Sequence, residues 1–421
     1  MSYELTTLPN GLRVITDHVP DMHSVAVGIW CDVGARYERA DENGIAHLVE
    51  HMMFKGTPTR TAAQIAEAVE DVGGQMNAYT SREVTAYFIH LLKDDVPLAL
   101  EILADILQNP IFPEEELDRE RQVILQEIGM YHDSPDDHIF DLYQAKAFPG
   151  QALGAPILGT ADIIQSLPQK SLFSYIRRYY TPGRLVISAA GAVDHADLVK
   201  LVESLLSGLP SDEEGIAAAG PTYGGGEVRE EKALEQTHIV LGFPAVARTA
   251  PDYYSSVLLS TILGGGMSSR LFQEVREKRG LLYSVYSHHD AYRDTGLLEI
   301  YAGTGPDRLC DLMPVVCTEV QKLVQESVSP EELARAKAQV KAALLMGRES
   351  MLSRANRQAK HLLNFGEAPN IDRTIERIDA VTADAIQILA GQIFSGTPTL
   401  AALGPVEGLA SFDVITDRLA A

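Results

Sequence analysis

The sequence predicts an α/β (α+β) protein of two related halves, each a mixed, mainly antiparallel sheet covered by helices, and three observations predict it. The chain has 421 residues, beyond the size at which one core keeps growing, so two domains of roughly 200 residues are expected. A similar order of strands and helices runs along it twice. An early strand at Val25 has a counterpart at His238, and Gly191, after the last strand of the first half, has one at Gly404, both 213 residues on. Between the halves, Ser211–Gly226 (SDEEGIAAAGPTYGGG) is small, polar and Gly-rich, the composition of a flexible linker. The expected division is 1–210, a linker at 211–230, and 231–421.

Within the first half, apolar alternation at Leu12–Val14 and Ser24–Trp30 reads as two strands. Helical patterns follow at about 44–54 and 61–72, a strand pair at 75–91, and helices near 94–108, 113–131 and 136–147. A loop rich in Gly and Pro covers 149–160; two short helices then lead to the strand Arg184–Gly191 and a helix ending near 207. After the linker come a strand at His238–Phe243, helices at 252–262 and 267–278, and strands near 281–288 and 295–303. Helices then run to about 393, and a last strand covers Leu400–Leu403. The peptide from Gly74 to Ser81 is similar to that from Gly280 to Ser287, which adds to the evidence for a repeat.

Composition narrows the function. A net charge of −23 speaks against nucleic acid, because binding phosphates takes a basic surface. It suits basic peptides as partners, although an acidic surface also keeps abundant proteins in solution. No apolar run approaches the ~20 residues that span a bilayer. The opening Met1-Ser2-Tyr3-Glu4-Leu5 has neither a basic nor an apolar targeting pattern. Three scattered cysteines, Cys31, Cys310 and Cys317, make neither a disulfide framework nor a thiolate metal site. A cytoplasmic setting is expected.

The segment Gly44–Phe54 (GIAHLVEHMMF) is apolar all round except for His47, Glu50 and His51, and a helix of that kind is a buried one. Histidines at i and i+4 share a face, so both imidazoles can reach one ion. Glu50 precedes the second histidine on the same side, giving the H-x-x-E-H order in which the glutamate is a base and not a ligand. Satisfied core histidines are the bland alternative, but that needs separate partners for three ionisable groups in one buried turn. Zinc needs a third protein ligand and an open fourth position. The helix after Pro113 offers one, since Glu120 and Glu127 interrupt the inward stripe that runs Leu117, Ile124, Ile128, Tyr131. Glu127 fits the ligand, and Glu120, two turns earlier, fits a partner that orients a histidine. The alternative for Glu120 is an exposed partner of Arg119 or Arg121.

At these residues the chain resembles the pitrilysin family of inverted-motif zinc peptidases, in its bacterial branch similar to the mitochondrial processing peptidase β subunit. The H-x-x-E-H motif is followed by the ligand glutamate 76 residues after the second histidine, as from His51 to Glu127 here. The resemblance covers the whole chain and includes LPNGLRV, EHMMFKGT, GGQMNAYTSREVTAYF, ERQVILQEI and SSRLFQEVREKRGLLYSV. It implies one Zn2+ per chain, two homologous α/β halves of which the first bears the metal, and pairing of two chains around a chamber. It also implies a substrate-holding Arg and Tyr from the second half, matched by Arg276 and Tyr283, and an edge strand, Asn77-Ala78-Tyr79, that pairs with the substrate backbone. Both the zinc set and the Arg/Tyr pair are present, so the resemblance points to a self-sufficient homodimer.

The expected reaction is hydrolysis of peptides or presequence-like segments, with water activated by zinc and Glu50. A different class of reading makes the chain a non-catalytic or partner-dependent subunit of a processing complex; a degenerate zinc motif marks such relatives, and this motif is intact. Specificity has a candidate as well. Pro135 suits a helix start, which places Asp137 and Asp141 at i and i+4, a spacing that suits the planar fork of an arginine. In processing peptidases the matching acidic residues receive a substrate arginine. The bland alternative is an acidic helix start that complements the dipole.

Overall fold

The computed structural model describes residues 3–209, 218 and 220–420. Two compact units contain them. The first holds Met1–Gly129, Ala155–Ala219 and Leu345–Pro369, and the second Met130–Gly154, Gly220–Leu344 and Asn370–Ala421.

The first unit is built on strands β1 (Tyr3–Thr7), β2 (Arg13–His18), β3 (Ser24–Cys31), β4 (Gln75–Thr80), β5 (Thr85–Leu92) and β6 (Leu185–Gly191), in the sheet order β1-β2-β6-β3-β5-β4. Only the β2/β6 pairing is parallel. Helices α1 (Ile45–Met52), α2 (Ala62–Glu70), α3 (Val96–Gln108) and α4 (Glu114–Asp133) follow the chain between these strands. β3 reads SVAVGIWC because both of its faces are buried. Val25, Val27, Ile29 and Cys31 point into the core formed with α1 and α3, whereas Ala26 and Trp30 point into a second core behind the sheet.

That second core is closed by the helix Met351–Phe365, through Ala355, Ala359, Leu362 and Leu363. Polar contacts fix its register. Trp30 Nε1 donates to Asn356 Oδ1 at 3.0 Å, Gln358 Nε2 donates to Ser188 Oγ at 2.8 Å, and Arg354 pairs at 2.8 Å with Asp17, which is buried.

The second unit repeats the plan. Helix α5 (Pro135–Ala147) precedes strands β7 (Gly226–Glu231), β8 (Thr237–Ala245), β9 (Ser284–Ala291), β10 (Gly296–Thr304) and β11 (Thr399–Gly404), whose sheet order is β7-β11-β8-β10-β9. Strand for strand this is β2-β6-β3-β5-β4 of the first sheet, with the same single parallel pair. Arg13 faces Val186 across that pair; Gly226 and Thr399, each 213 residues further on, face each other in the second. Here α5 closes one face of the sheet: Ile139, Tyr143 and Ala147 pack with Val240, Ala401 and Leu403.

The two α/β halves expected from the repeat are present. The single division after residue 210 is not: 130–154 packs with the second unit and 345–369 with the first. Each exchanged segment carries a helix that covers the far face of a sheet, and a sheet buried on both faces needs that cover. Residues 211–217 and 219 of the expected linker lie outside the described residues. Its end is fastened and not free: the Tyr223 hydroxyl meets Thr399 Oγ1 at 2.6 Å, Gly224 N donates to Ala147 O, and β7 begins at Gly226. Strands β1 and β7 and the closing helix Phe412–Ala420 gave no periodic signal, and the helix expected at 267–278 forms a π-helical stretch only at Phe272–Glu277. The likeness of peptides 74–81 and 280–287 is out of step with the strands. Thr80 and Ala291 close the equivalent hairpins against Thr85 and Gly296, an offset of 211, and the strand begins only after Tyr283.

A chain cut to residues 1–220 therefore lacks the helix behind the first sheet and leaves Ile15, Trp30 and Val186 uncovered. At ~1.5–3 kcal/mol for each large apolar side chain returned to water, the loss is comparable with the stability of a domain. The fragment is expected to bind an apolar dye and to lack a cooperative thermal transition. A cooperatively melting fragment would show that the helix Met351–Phe365 is dispensable to the first unit.

Candidate active site

Helix α1 starts at Gly44, whose φ of +90° is open to glycine and strained for other residues. A Cβ there would also lie 2.7 Å from Gly159 Cα. No side chain of the N-cap residue meets the free amides of the first turn. Glu38 does so from outside the helix: its carboxylate accepts from Gly44 N and Ala46 N, both at 2.8 Å, and from Asn43 Nδ2 at 2.9 Å. Burial pushes the Glu38 carboxyl up to about 7, against the pull of those three donors. Ile45, Ala46, Leu48, Val49 and Met52 bury the body of the helix and leave His47, Glu50 and His51 on its remaining side.

Helix α4 crosses that side. Leu117, Glu120 and Ile124 are its buried positions, and Glu127 continues the stripe. Donor atoms of His47, His51 and Glu127 all lie within 4.8 Å of one another. Glu127 Oε2 is 3.9 Å from His47 Nε2 and 3.7 Å from His51 Nε2, too far for hydrogen bonds. That oxygen is buried without a partner although 37% of the side chain is exposed. Two imidazoles and a carboxylate converging on one point, with the carboxylate oxygen unmet, are the donor set of a catalytic zinc site, so the residues fit the metal. Burial, and then the neighbouring His51, hold His47 down at about 4, so that it is neutral as a ligand must be.

Glu120 lies beside His51, within hydrogen-bond reach of the ring nitrogen that points away from Glu127. Its Oε2 is 2.8 Å from His51 Nδ1 and its Oε1 is 2.6 Å from Lys55 Nζ. The exposed alternative is overturned, because Glu120 is buried and Arg119 and Arg121 pair instead with Glu115, Glu116 and Asp118. Burial works against the charged forms of both Glu120 and His51. Their mutual bond and nearby charges outweigh it, so the carboxyl lies below its usual range and the imidazole above it. Glu50 makes no contact with a histidine comparable to these; Thr80 Oγ1 donates to its Oε2 at 2.6 Å. Burial raises the Glu50 pKa, more than that bond and His51 lower it.

A cleft of about 290 Å³ opens beside these groups, lined by Glu50, His51, Phe54, Lys55, Met76, Asn77, Ala78 and Glu120. One wall is β4, the edge of the first sheet, paired only with β5. The Ala78 amide donates to the side chain of Asn77 at 2.8 Å. Tyr79 turns the other way and donates its hydroxyl to Asn356 Oδ1 at 2.6 Å.

The remaining expected residues belong to the second unit. Arg276 sits on the π-helical stretch with its guanidinium 5.1 Å from the Tyr283 ring centre and 4.7 Å from that of Phe272. Tyr283 is 76% exposed, so it is not the core strand residue that its sequence context allows. Asp137 and Asp141 share α5, which starts at Pro135 as expected. The Ser134 hydroxyl lies 2.7 Å from Asp137 Oδ2 and 2.9 Å from Asp136 Oδ1, and Asp137 is exposed while Asp141 is half-buried.

Three residues of this region were not anticipated. Lys55 lies in the turn three residues past the end of α1, close enough in sequence to His51 to be a usable signal. Thr80 shares the parity of Met76 and Ala78 on a period-two strand. Glu38 gave no signal, since it sits in a short irregular segment whose contacts are set by the fold.

Residues 13–161 match the family model described as insulinase (peptidase family M16), and residues 166–340 match the one described as peptidase M16 inactive domain. An uncharacterized zinc protease of Rickettsia felis is 42% identical over 405 residues, covering 96% of this chain and 98% of the relative. One of Bacillus subtilis is 38% identical and covers 95% and 97%; one of Streptomyces coelicolor is 39% identical and covers 96% and 89%. A protease of Helicobacter pylori, whose structure is solved, has the same fold with a TM-score of 0.90 at 24% identity, covering 96% of this chain and 99% of that one. Among the described residues no helix is long and apolar enough to cross a membrane.

Proposed function

The chain belongs to the insulinase-type peptidase family M16 and its metal is zinc, and from that premise we propose that it is a zinc endopeptidase acting on peptides or presequence-like segments. The observation that carries the reading is the convergence of His47, His51 and Glu127 within 4.8 Å around a buried carboxylate oxygen that meets no partner. These three residues hold the metal, and Glu120 fixes His51 from behind. Zinc supplies Lewis acidity, making water ionisable near neutral pH and polarising a scissile carbonyl. Glu50 takes the proton of the attacking water and passes it to the leaving amine; its raised pKa suits a base that must also act as an acid. Asn77, Ala78 and Tyr79 offer the substrate backbone a strand to pair with, beside the apolar walls of Phe54 and Met76. Arg276 and Tyr283 grip the substrate carbonyl or the developing oxyanion. The non-catalytic reading has little to favour it. The match described as inactive covers 166–340, whereas the metal set and Glu50 lie within 13–161.

Glu50→Gln is expected to keep about one zinc per chain and to lose nearly all turnover of a quenched peptide. His47→Ala, His51→Ala and Glu127→Ala should each lose metal instead. Stoichiometric zinc loss in Glu50→Gln would contradict the division of roles.

A homodimer is the assembly we propose, because one chain carries the zinc set together with Arg276 and Tyr283. Light scattering should give about twice the chain mass of 45.9 kDa, and a fully active monomer would refute it.

Asp137 and Asp141 are proposed to receive an arginine of the substrate. Asp137 is exposed and Asp141 half-buried in the free chain, and the bound arginine would cover them; loss of a charge pair buried in that way costs ~2–5 kcal/mol, or roughly thirty-fold to a few thousand-fold in kcat/KM. Peptides with arginine should exceed their norleucine counterparts by that margin on the wild-type chain, and the margin should vanish in Asp137→Asn/Asp141→Asn. Equal rates for the two peptides on the wild-type chain would leave the acidic pair as a helix start only.

A further inference from the structure

Among the groups around the proposed base, Thr80 has no part in the chemistry described so far. It ends β4, where side chains alternate across the sheet. Tyr79 faces the helix Met351–Phe365, with its hydroxyl on Asn356 and Lys360 Nζ 4.8 Å from its ring centre. Thr80 faces the other way and gives its only hydroxyl proton to Glu50 Oε2 at 2.6 Å.

We propose that Thr80 is a positioning residue for the general base, an inference that rests on the role proposed for Glu50. A carboxylate turns easily about its last bond, whose torsion is broad and nearly two-fold. A single donor on Oε2 fixes the plane of the group and leaves Oε1 to take the proton of the attacking water. The donor is itself immobilised. In the turn after Thr80, Ser81 Oγ donates to Val84 O at 2.9 Å, and the turn is clamped from outside by Ala35 N on Ser81 O at 3.1 Å and Arg36 N on Arg82 O at 2.9 Å. Gly34 approaches so closely that a Cβ would lie 2.2 Å from Ser81 O. Three residues after Ala35, Glu38 holds the start of α1, the helix that carries Glu50. One short segment, 34–38, therefore fixes the hydroxyl and the carboxylate in the same frame. Thr80 also belongs to the edge strand proposed to take the substrate, so the strand that docks the peptide is the one that aims the base.

A hydroxyl that merely satisfies a buried carboxylate would show its loss in stability and not in turnover per folded chain. In the zinc-loaded protein, Thr80→Val is expected to lower kcat about 10- to 100-fold, a share of the ~10²–10⁴ that a positioned base supplies. KM should stay within about two-fold, and zinc affinity by chelator competition should not change. Thr80→Ser, which keeps the donor, should return kcat to within about three-fold of the wild type. Thr80→Val added to Glu50→Gln should lower the residual rate no further, because a residue acting through Glu50 has nothing left to orient. Wild-type kcat in Thr80→Val, additive losses in the double variant, or a serine variant as slow as valine would each overturn the inference. If valine does not fold, Thr80→Ala carries the same expectations. Full turnover in Glu50→Gln alone would overturn the role of Glu50 first, and this inference with it.

Discussion

One helical turn, from His47 to His51, puts three ionisable groups on a helix whose other faces are buried among apolar side chains. Left unmet, each would cost several kcal/mol. The surroundings of α1 follow from that constraint. Glu120 meets His51 Nδ1 and is balanced by Lys55; Thr80 meets Glu50; Glu38 meets the amides at the helix start. What stays unmet is the convergence of two imidazole Nε2 atoms on Glu127 Oε2, the place for a cation. His47 Nδ1 is also buried without a hydrogen-bond partner, and what tells a metal site apart from a set of core histidines is the unmet carboxylate oxygen that faces both imidazoles.

Among the described residues the same topology carries no such turn in the second unit, although its sheet order and parallel pair repeat strand for strand. The fold is therefore the scaffold and the chemistry is local to α1 and α4. What the repeat does impose is burial on both faces of each sheet. The first sheet is closed behind by the helix Met351–Phe365 and the second by α5, each drawn from the sequence of the opposite half. A buried Asp17 carboxylate between Arg348 and Arg354 anchors the first of these helices, and removing one partner of such a group is costly.

Local periodicity made the site legible, and its supports lie outside any such period. The apolar run around His47 announced a buried helix, and the inward placement of Glu120 and Glu127 on α4 was readable from a stripe that carboxylates interrupt. Those are patterns within one element. Glu38 sits in an irregular segment that has no period to read, and the parity of Thr80 on β4 gives its face but not its partner, which is on α1. The exchange of helices between units was hidden for a related reason. Met351–Phe365 shows an ordinary amphipathic stripe, which says that one face is buried but not which sheet covers it. Strands β1 and β7 are half-exposed at sheet edges, where alternation is weakest.

On the function proposed, strand β4 is held where it meets Glu50 and open along the edge offered to a peptide, and its alternation separates the two demands. Tyr79, bonded to Asn356, braces it on the far face, and Thr80 ties it to the base on the near one. Its free edge lies in the sheet plane between these directions. An unpaired edge amide is a liability, and at Ala78 the chain covers it with the Asn77 side chain. A peptide adding to this edge must displace that bond, so the net gain there is the difference between two hydrogen bonds, each contributing ~0.5–1.5 kcal/mol. Main-chain pairing at such a strand sets direction and register more than affinity. On the same proposal, selectivity among peptides falls to the side-chain contacts, the apolar walls of Phe54 and Met76 beside Glu50 and His51 first among them.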